Sequence, residues 1–130
     1  MHKWDERIRF ITHNGQRILL IDLSSCSADE VTSAAHLVPS YTTSEPPGSV
    51  LLLADFTGAK FDKTTLTALK EATAYTKPHL KRSAWIGVES LPKVFYDNIR
   101  NFSRRALPIF STREEALAYL VTEEPASAAS

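Results

Sequence analysis

Two apolar runs near the start of the chain, "RIRFIT" at 7–12 and "RILLID" at 17–22, flank the dipeptide Asn14-Gly15. Asn-Gly accepts the positive φ angles of a tight turn, so the pattern predicts a hairpin of two antiparallel strands. The rhythm then changes to helical spacing. Val31, Ala34, Ala35 and Val38 follow Ser27 and Glu30, which stand three residues apart in a capping box, and Pro39 is expected to end or bend the helix. After the loop "SEPPGS", the run "VLLLAD" at 50–55 lacks polar alternation and reads as a strand buried on both faces. A second helix is predicted over 63–76, with Leu66, Leu69, Ala72 and Thr73 on one side and Pro78 as its stop. "SAWIGV" supplies a fourth strand, and Leu91, Val94, Phe95, Ile99 and Phe102 mark a third, amphipathic helix. "LPIF" is a fifth strand, and "STREEALAYLV" opens a last helix with Thr112 and Glu115 in N-cap spacing.

The predicted order is β-β-α-β-α-β-α-β-α: an α/β fold with a mixed, mostly parallel five-stranded sheet flanked by four helices. Right-handed crossovers make the last four strands parallel. The loops that begin at Asp22, Asp55, Gly87 and Ser111 therefore share the carboxyl edge of the sheet, where open α/β folds place their sites. Residues 1–122 are expected to form one domain and 123–130 a disordered tail.

Composition narrows the function classes. Hydrophobic residues make up 43% of the 130-residue chain, enough for a sizeable core. Fifteen Lys and Arg balance fifteen Asp and Glu, so no overall field argues for nucleic acid. No stretch approaches the roughly 20 apolar residues of a membrane span, and a cytoplasmic location is expected. Cys26 is the single cysteine, which excludes an internal disulfide and a cysteine-built zinc site.

Paired carboxylates at Asp22 and Asp55, near Ser24, Ser25 and Thr57, are the one arrangement that could hold Mg²⁺ for catalysis. The surrounding chemistry is missing: there is no glycine-rich phosphate loop, no G-x-S-x-G elbow and no H-E-x-x-H helix, and the four histidines lack ligand spacing. No catalytic residue, metal or cofactor is assigned. Two helix-to-strand segments, "TKPHLKRS" and "IRNFSRRA", bring Lys77, His79, Lys81, Arg82, Arg100, Arg104 and Arg105 to the amino edge. These cations complement helix C-termini, and as a patch they would suit phosphate, an anionic headgroup or an acidic partner rather than duplex DNA.

The element order, with "DFTGAKFD" before the second helix, resembles a STAS domain, and more narrowly the SpoIIAA-like, STAS/SEC14 group of bacterial proteins. "GQRILLIDLS", "SVLLLADFTGA", "TKPHLKRSAWIGV", "NFSRR" and "TREEALAYL" carry the same likeness over nearly the whole chain. In anti-sigma-factor antagonists the loop resembles D-L-S-G-V-x-F-I-D-S-S-G-L, whose second serine is phosphorylated by a partner kinase. Asp55, Gly58, Phe61, Asp62 and Leu66 match it once one residue is deleted before Asp62. Lys63 and Thr64 then stand where the serines would be, and Thr65 replaces the glycine.

The resemblance implies a non-enzymatic module that associates with another protein, with Asp55, Thr57, Asp62, Thr64 and Thr65 as its switch and partner loop. A phosphate on Thr64 would bond to free N–H groups at the helix start and repel an acidic partner surface; the commoner role for Asp62, Thr64 and Thr65 is only to cap the helix. The SEC14 side of the likeness implies an alternative, an apolar or lipid-like ligand, or an anionic membrane surface, received under a mobile third helix by Trp85, Phe95, Ile99 and Phe102. Core packing explains the same aromatics.

Overall fold

The computed structural model describes residues 4–88, 97 and 108–122. A helical turn, α1 (Trp4–Arg7), leads into β1 (Ile8–His13), β2 (Gln16–Asp22), α2 (Ala28–Thr42), β3 (Val50–Asp55) and α3 (Lys63–Thr76). A 3₁₀ turn (Lys77–His79), β4 (Leu80–Ile86), β5 (Ile109–Phe110) and α4 (Arg113–Leu120) follow. Asp97 is helical, and the other residues expected to form the third helix lie outside the described residues.

Asn14 and Gly15 adopt φ of 50° and 79° and close the β1–β2 hairpin, in which His13 faces Gln16 and Ile8 faces Ile21. The sheet order is β1-β2-β3-β4-β5, antiparallel only at the hairpin and parallel thereafter. All six residues of β3 are buried, as a central strand covered on both faces requires. Alternation sorts the side chains. Ile21, Leu52, Ala54 and Trp85 meet Val31, Ala34, Leu66 and Leu69 of α2 and α3. Ile18, Leu20, Leu51, Leu53, Ala84 and Ile86 meet Ala116 and Leu120 of α4 on the other face.

The capping box of α2 forms as the spacing predicts: Glu30 N donates to Ser27 Oγ at 3.2 Å and Ser27 N to Glu30 Oε1 at 2.9 Å. Pro39 does not end the helix, which runs on to Thr42. The pyrrolidine ring removes one donor, but the Pro39 carbonyl still accepts from Thr43 N at 2.9 Å and the Thr42 hydroxyl at 3.1 Å, so the last turn closes. Helix α3 stops at Thr76, one turn-forming residue before Pro78. Among the described residues, no helix is long and apolar enough to cross a membrane.

Candidate functional site

Strands β2 and β3 end in register, Asp22 beside Asp55, and each carboxylate folds the next residues into the same turn. Asp22 Oδ1 accepts from Ser24 N at 3.1 Å and Ser24 Oγ at 2.7 Å. Asp55 Oδ1 accepts from Thr57 N at 2.9 Å and Thr57 Oγ1 at 2.7 Å. Between them, Leu23 and Phe56 turn inward and are buried. The backbone ladder continues past the strands: Leu23 N donates to Asp55 O and Ser25 N to Thr57 O, both at 2.8 Å, and Phe56 N to Ile86 O at 2.9 Å.

Three successive loops then bend at left-handed residues, Ser25 (φ 60°), Gly58 (φ 73°) and Gly87 (φ 71°). Glycine is obligatory at position 87, where a Cβ would lie 2.3 Å from the Thr57 backbone nitrogen.

The other carboxylate oxygens point toward α4. Arg113 donates from Nε and Nη2 to Asp55 Oδ2 at 3.1 and 3.0 Å, and its Nη2 lies 3.4 Å from Asp22 Oδ2. Asp55 is 6% exposed, so this guanidinium is what makes a charge tolerable there. Burial pushes the Asp22 carboxyl up, yet the Ser24 hydroxyl and amide, with Arg113 and Arg7, hold it below its ordinary 3.8. Arg7 Nη1 also binds the loop itself, donating to the Asp22 and Ser24 carbonyls at 3.0 and 3.2 Å and to Cys26 Sγ at 3.4 Å.

The carboxylate pair considered as a Mg²⁺ site is thus bridged by a guanidinium, with each Oδ1 committed to its turn. Among the described residues, no group of three His, Cys, Asp or Glu could hold a metal ion.

The α3 start separates the two threonines of the expected switch. Asp62 caps the helix, accepting from Thr65 N and Thr65 Oγ1 at 2.8 Å, and these bonds from Thr65 hold its carboxyl below the ordinary value. Thr65 is fully buried, its Oγ1 also 3.1 Å from the Ala28 carbonyl and 3.0 Å from Thr32 Oγ1. Thr65 is therefore corrected from switch candidate to a joint between the starts of α2 and α3. Thr64, one residue earlier, faces solvent, as do Thr57, Asp62 and Lys63.

At the amino edge, Lys77 and His79 lie on the 3₁₀ turn and Lys81 and Arg82 on the start of β4. Two have structural duties: the His79 ring hydrogen-bonds the Glu45 carbonyl through Nδ1 at 3.0 Å, and Arg82 Nη1 donates to Leu120 O at 3.1 Å, closing the α4 C-terminus. Arg100, Arg104 and Arg105 lie outside the described residues.

Trp85 is buried, with Phe56 at 4.9 Å between ring centroids. It lines a cavity of about 50 Å³ whose far wall comes from α2 and α3, including Ala35, Val38, Leu69 and Ala72. Among the described residues this apolar space lies between the sheet and α2/α3; Phe95, Ile99 and Phe102, expected to form a pocket with Trp85, lie outside the described residues. Ser83, 3% exposed, also lines it, and its Oγ has no hydrogen-bond partner.

The sequence reading missed Arg113, Arg7 and Ser83. Arg113 had a signal, since a cation in the first turn of a helix opposes the helix dipole and asks for an anion nearby.

No protein-family model matches the chain, and no curated protein is a significant relative. Among solved structures, the architecture matches one described as an anti-sigma-factor antagonist (STAS) domain protein from Planctomyces limnophilus, with a TM-score of 0.58. The fold is that of a STAS domain. The match covers 88% of this chain and 98% of that one at 18% identity, so the STAS likeness lies in architecture far more than in residue identity. In this STAS fold, the Asp55–Asp62 loop and the start of α3 occupy the carboxyl edge.

Proposed function

We propose that this STAS-fold chain is a non-enzymatic regulatory module that works by binding another protein through the loop 56–62 and the first turn of α3. The solved neighbour's description as an anti-sigma-factor antagonist supports this class of function. The observation that carries the reading is the division of labour at the helix start. Asp62 and the buried Thr65 carry out the capping, while the Thr64 side chain stands in solvent beside N–H groups at a helix N-terminus. A phosphate at Thr64 would be favoured by that terminus and would add about two negative charges to the surface. Thr57 and Lys63 flank it as further contact residues.

The test is quantitative affinity capture from the native host with wild type, Thr64→Ala, Thr64→Asp and Thr65→Ala, alongside the intact mass of the natively purified protein. The expected result is one partner retained by wild type and Thr64→Ala and reduced at least about fivefold by Thr64→Asp, with both Thr64 variants as stable as wild type. Thr65→Ala should instead lose stability, because it empties the hydroxyl joint between α2 and α3. Equal recovery of every captured protein by wild type and both Thr64 variants rejects the switch.

A further inference from the structure

The cavity between the sheet and α2/α3 combines two features that rarely coexist without an occupant. Its lining is apolar, with Leu52, Ala54, Phe56, Leu69, Ala72 and Trp85 contributing. Into the same space faces Ser83 from β4, buried to all but 3% of its surface, with a hydroxyl that has no hydrogen-bond partner. Buried hydroxyls in folded proteins are nearly always paired, and an exception needs an explanation, of which a bound group is one.

Strand register explains how Ser83 comes to be there. On β4 the side chains alternate, so that Ala84 and Ile86 face α4 while Ser83 and Trp85 face α2/α3. A serine on that side has apolar neighbours on every element packed above it. Among the described residues only the Thr73 and Thr76 side chains add further hydroxyls to the lining, and both already donate to backbone carbonyls, Thr73 to Lys70 O at 2.8 Å and Thr76 to Thr73 O at 3.4 Å.

We propose that this cavity is a binding site for a small neutral molecule with a short apolar body and one hydrogen-bonding group, which pairs with Ser83 Oγ. Size sets the class. A cavity of about 50 Å³ exceeds the roughly 10–15 Å³ that one water needs and falls below the roughly 150 Å³ that accepts benzene, so the occupant is of short-chain alcohol size and not an acyl chain. Charge sets it further, because among the described residues no ionisable side chain lines the cavity to receive an ion. This site is independent of the Thr64 surface.

The experiment is amide and indole NMR titration of the full chain with methanol as the polar probe and xenon as the apolar one. Both should give saturable shifts centred on Ser83, Trp85 and Ala54. Ser83→Ala should weaken methanol about five- to tenfold and leave xenon binding unchanged. Ala72→Leu, which fills the cavity, should abolish both, and Ala35→Val repeats that test if Ala72→Leu does not fold. Absence of saturable shifts overturns the proposal, as does equal methanol affinity in wild type and Ser83→Ala. A long-lived water at Ser83 that no probe displaces overturns it too.

Discussion

Replacing Arg113 by Met keeps most of the aliphatic volume and deletes the guanidinium that spans Asp22 and Asp55. Asp55 then retains its two bonds from Thr57 but loses both contacts on Oδ2, at a site where the residue is 6% exposed. Breaking a buried ion pair by removing one partner costs about 3–5 kcal/mol. The Arg113 side chain is 40% exposed, so solvent screens the interaction and reaches the vacated position. The expected loss is therefore about 2–3 kcal/mol, or a fall of about 1–2 M in the urea midpoint for a domain of this size. Urea unfolding followed by circular dichroism measures it, and the double variant Arg113→Met/Asp55→Asn should recover part of the loss by removing the stranded charge. Asp22 adds a pH signature. Its folded carboxyl sits below its ordinary 3.8, so its contribution is complete above that pH and drains away as pH falls from 3.8 through the lower folded value. Arg113→Met should make this acid loss shallower. An unchanged urea midpoint, or acid profiles that superimpose, would refute the account of Arg113 as the counter-charge of the carboxyl edge.

Two glycines with similar backbone angles should respond differently to alanine. Gly48 (φ 66°) has open space among the described residues where a methyl group would stand, so Gly48→Ala should cost about 1 kcal/mol of left-handed strain. Gly87→Ala should cost clearly more, above about 2 kcal/mol, because Thr57 backbone must move; equal thermal shifts in the two variants would contradict this. Ser83→Ala removes an unpaired buried hydroxyl and should stabilise the domain by about 1 kcal/mol in urea unfolding, a loss of stability being the contrary result.

Local signals made most of the architecture legible. The uninterrupted apolar run at Val50–Ala54 marks a strand that only a sheet covered on both faces can use, and the Asn14-Gly15 turn leaves its hairpin little alternative. The N-caps Ser27 and Thr112 act where their spacing places them, and of the three residues offered as caps for α3 it is Asp62 that takes the N-cap position. Pro39 does not end its helix, because a proline in the last turn sacrifices one donor while its carbonyl still closes the helix. The site was less legible for reasons of distance and facing. Arg113 and Asp55 are 58 positions apart, and no local pattern pairs them. Thr64 and Thr65 are neighbours of the same type, and only the packing of α3 on α2 decides which is exposed and which is sealed. Ser83 sits in a β-run where either face is buried, so its orphaned hydroxyl emerges only once the register is known.

The ladder that runs on beyond the strand ends bears on how a partner would arrive. Loops that usually flap independently are here stitched to one another, residues 22–26 to 55–60 and 56 to 86, and clamped by Arg7 from one side and Arg113 from the other. A protein docking on this edge meets a surface already set, so association carries little cost for ordering loops and proceeds close to rigid-body encounter. A single phosphate could then act without refolding anything: it would change the charge of a fixed face, and the speed of release would follow the dissociation rate.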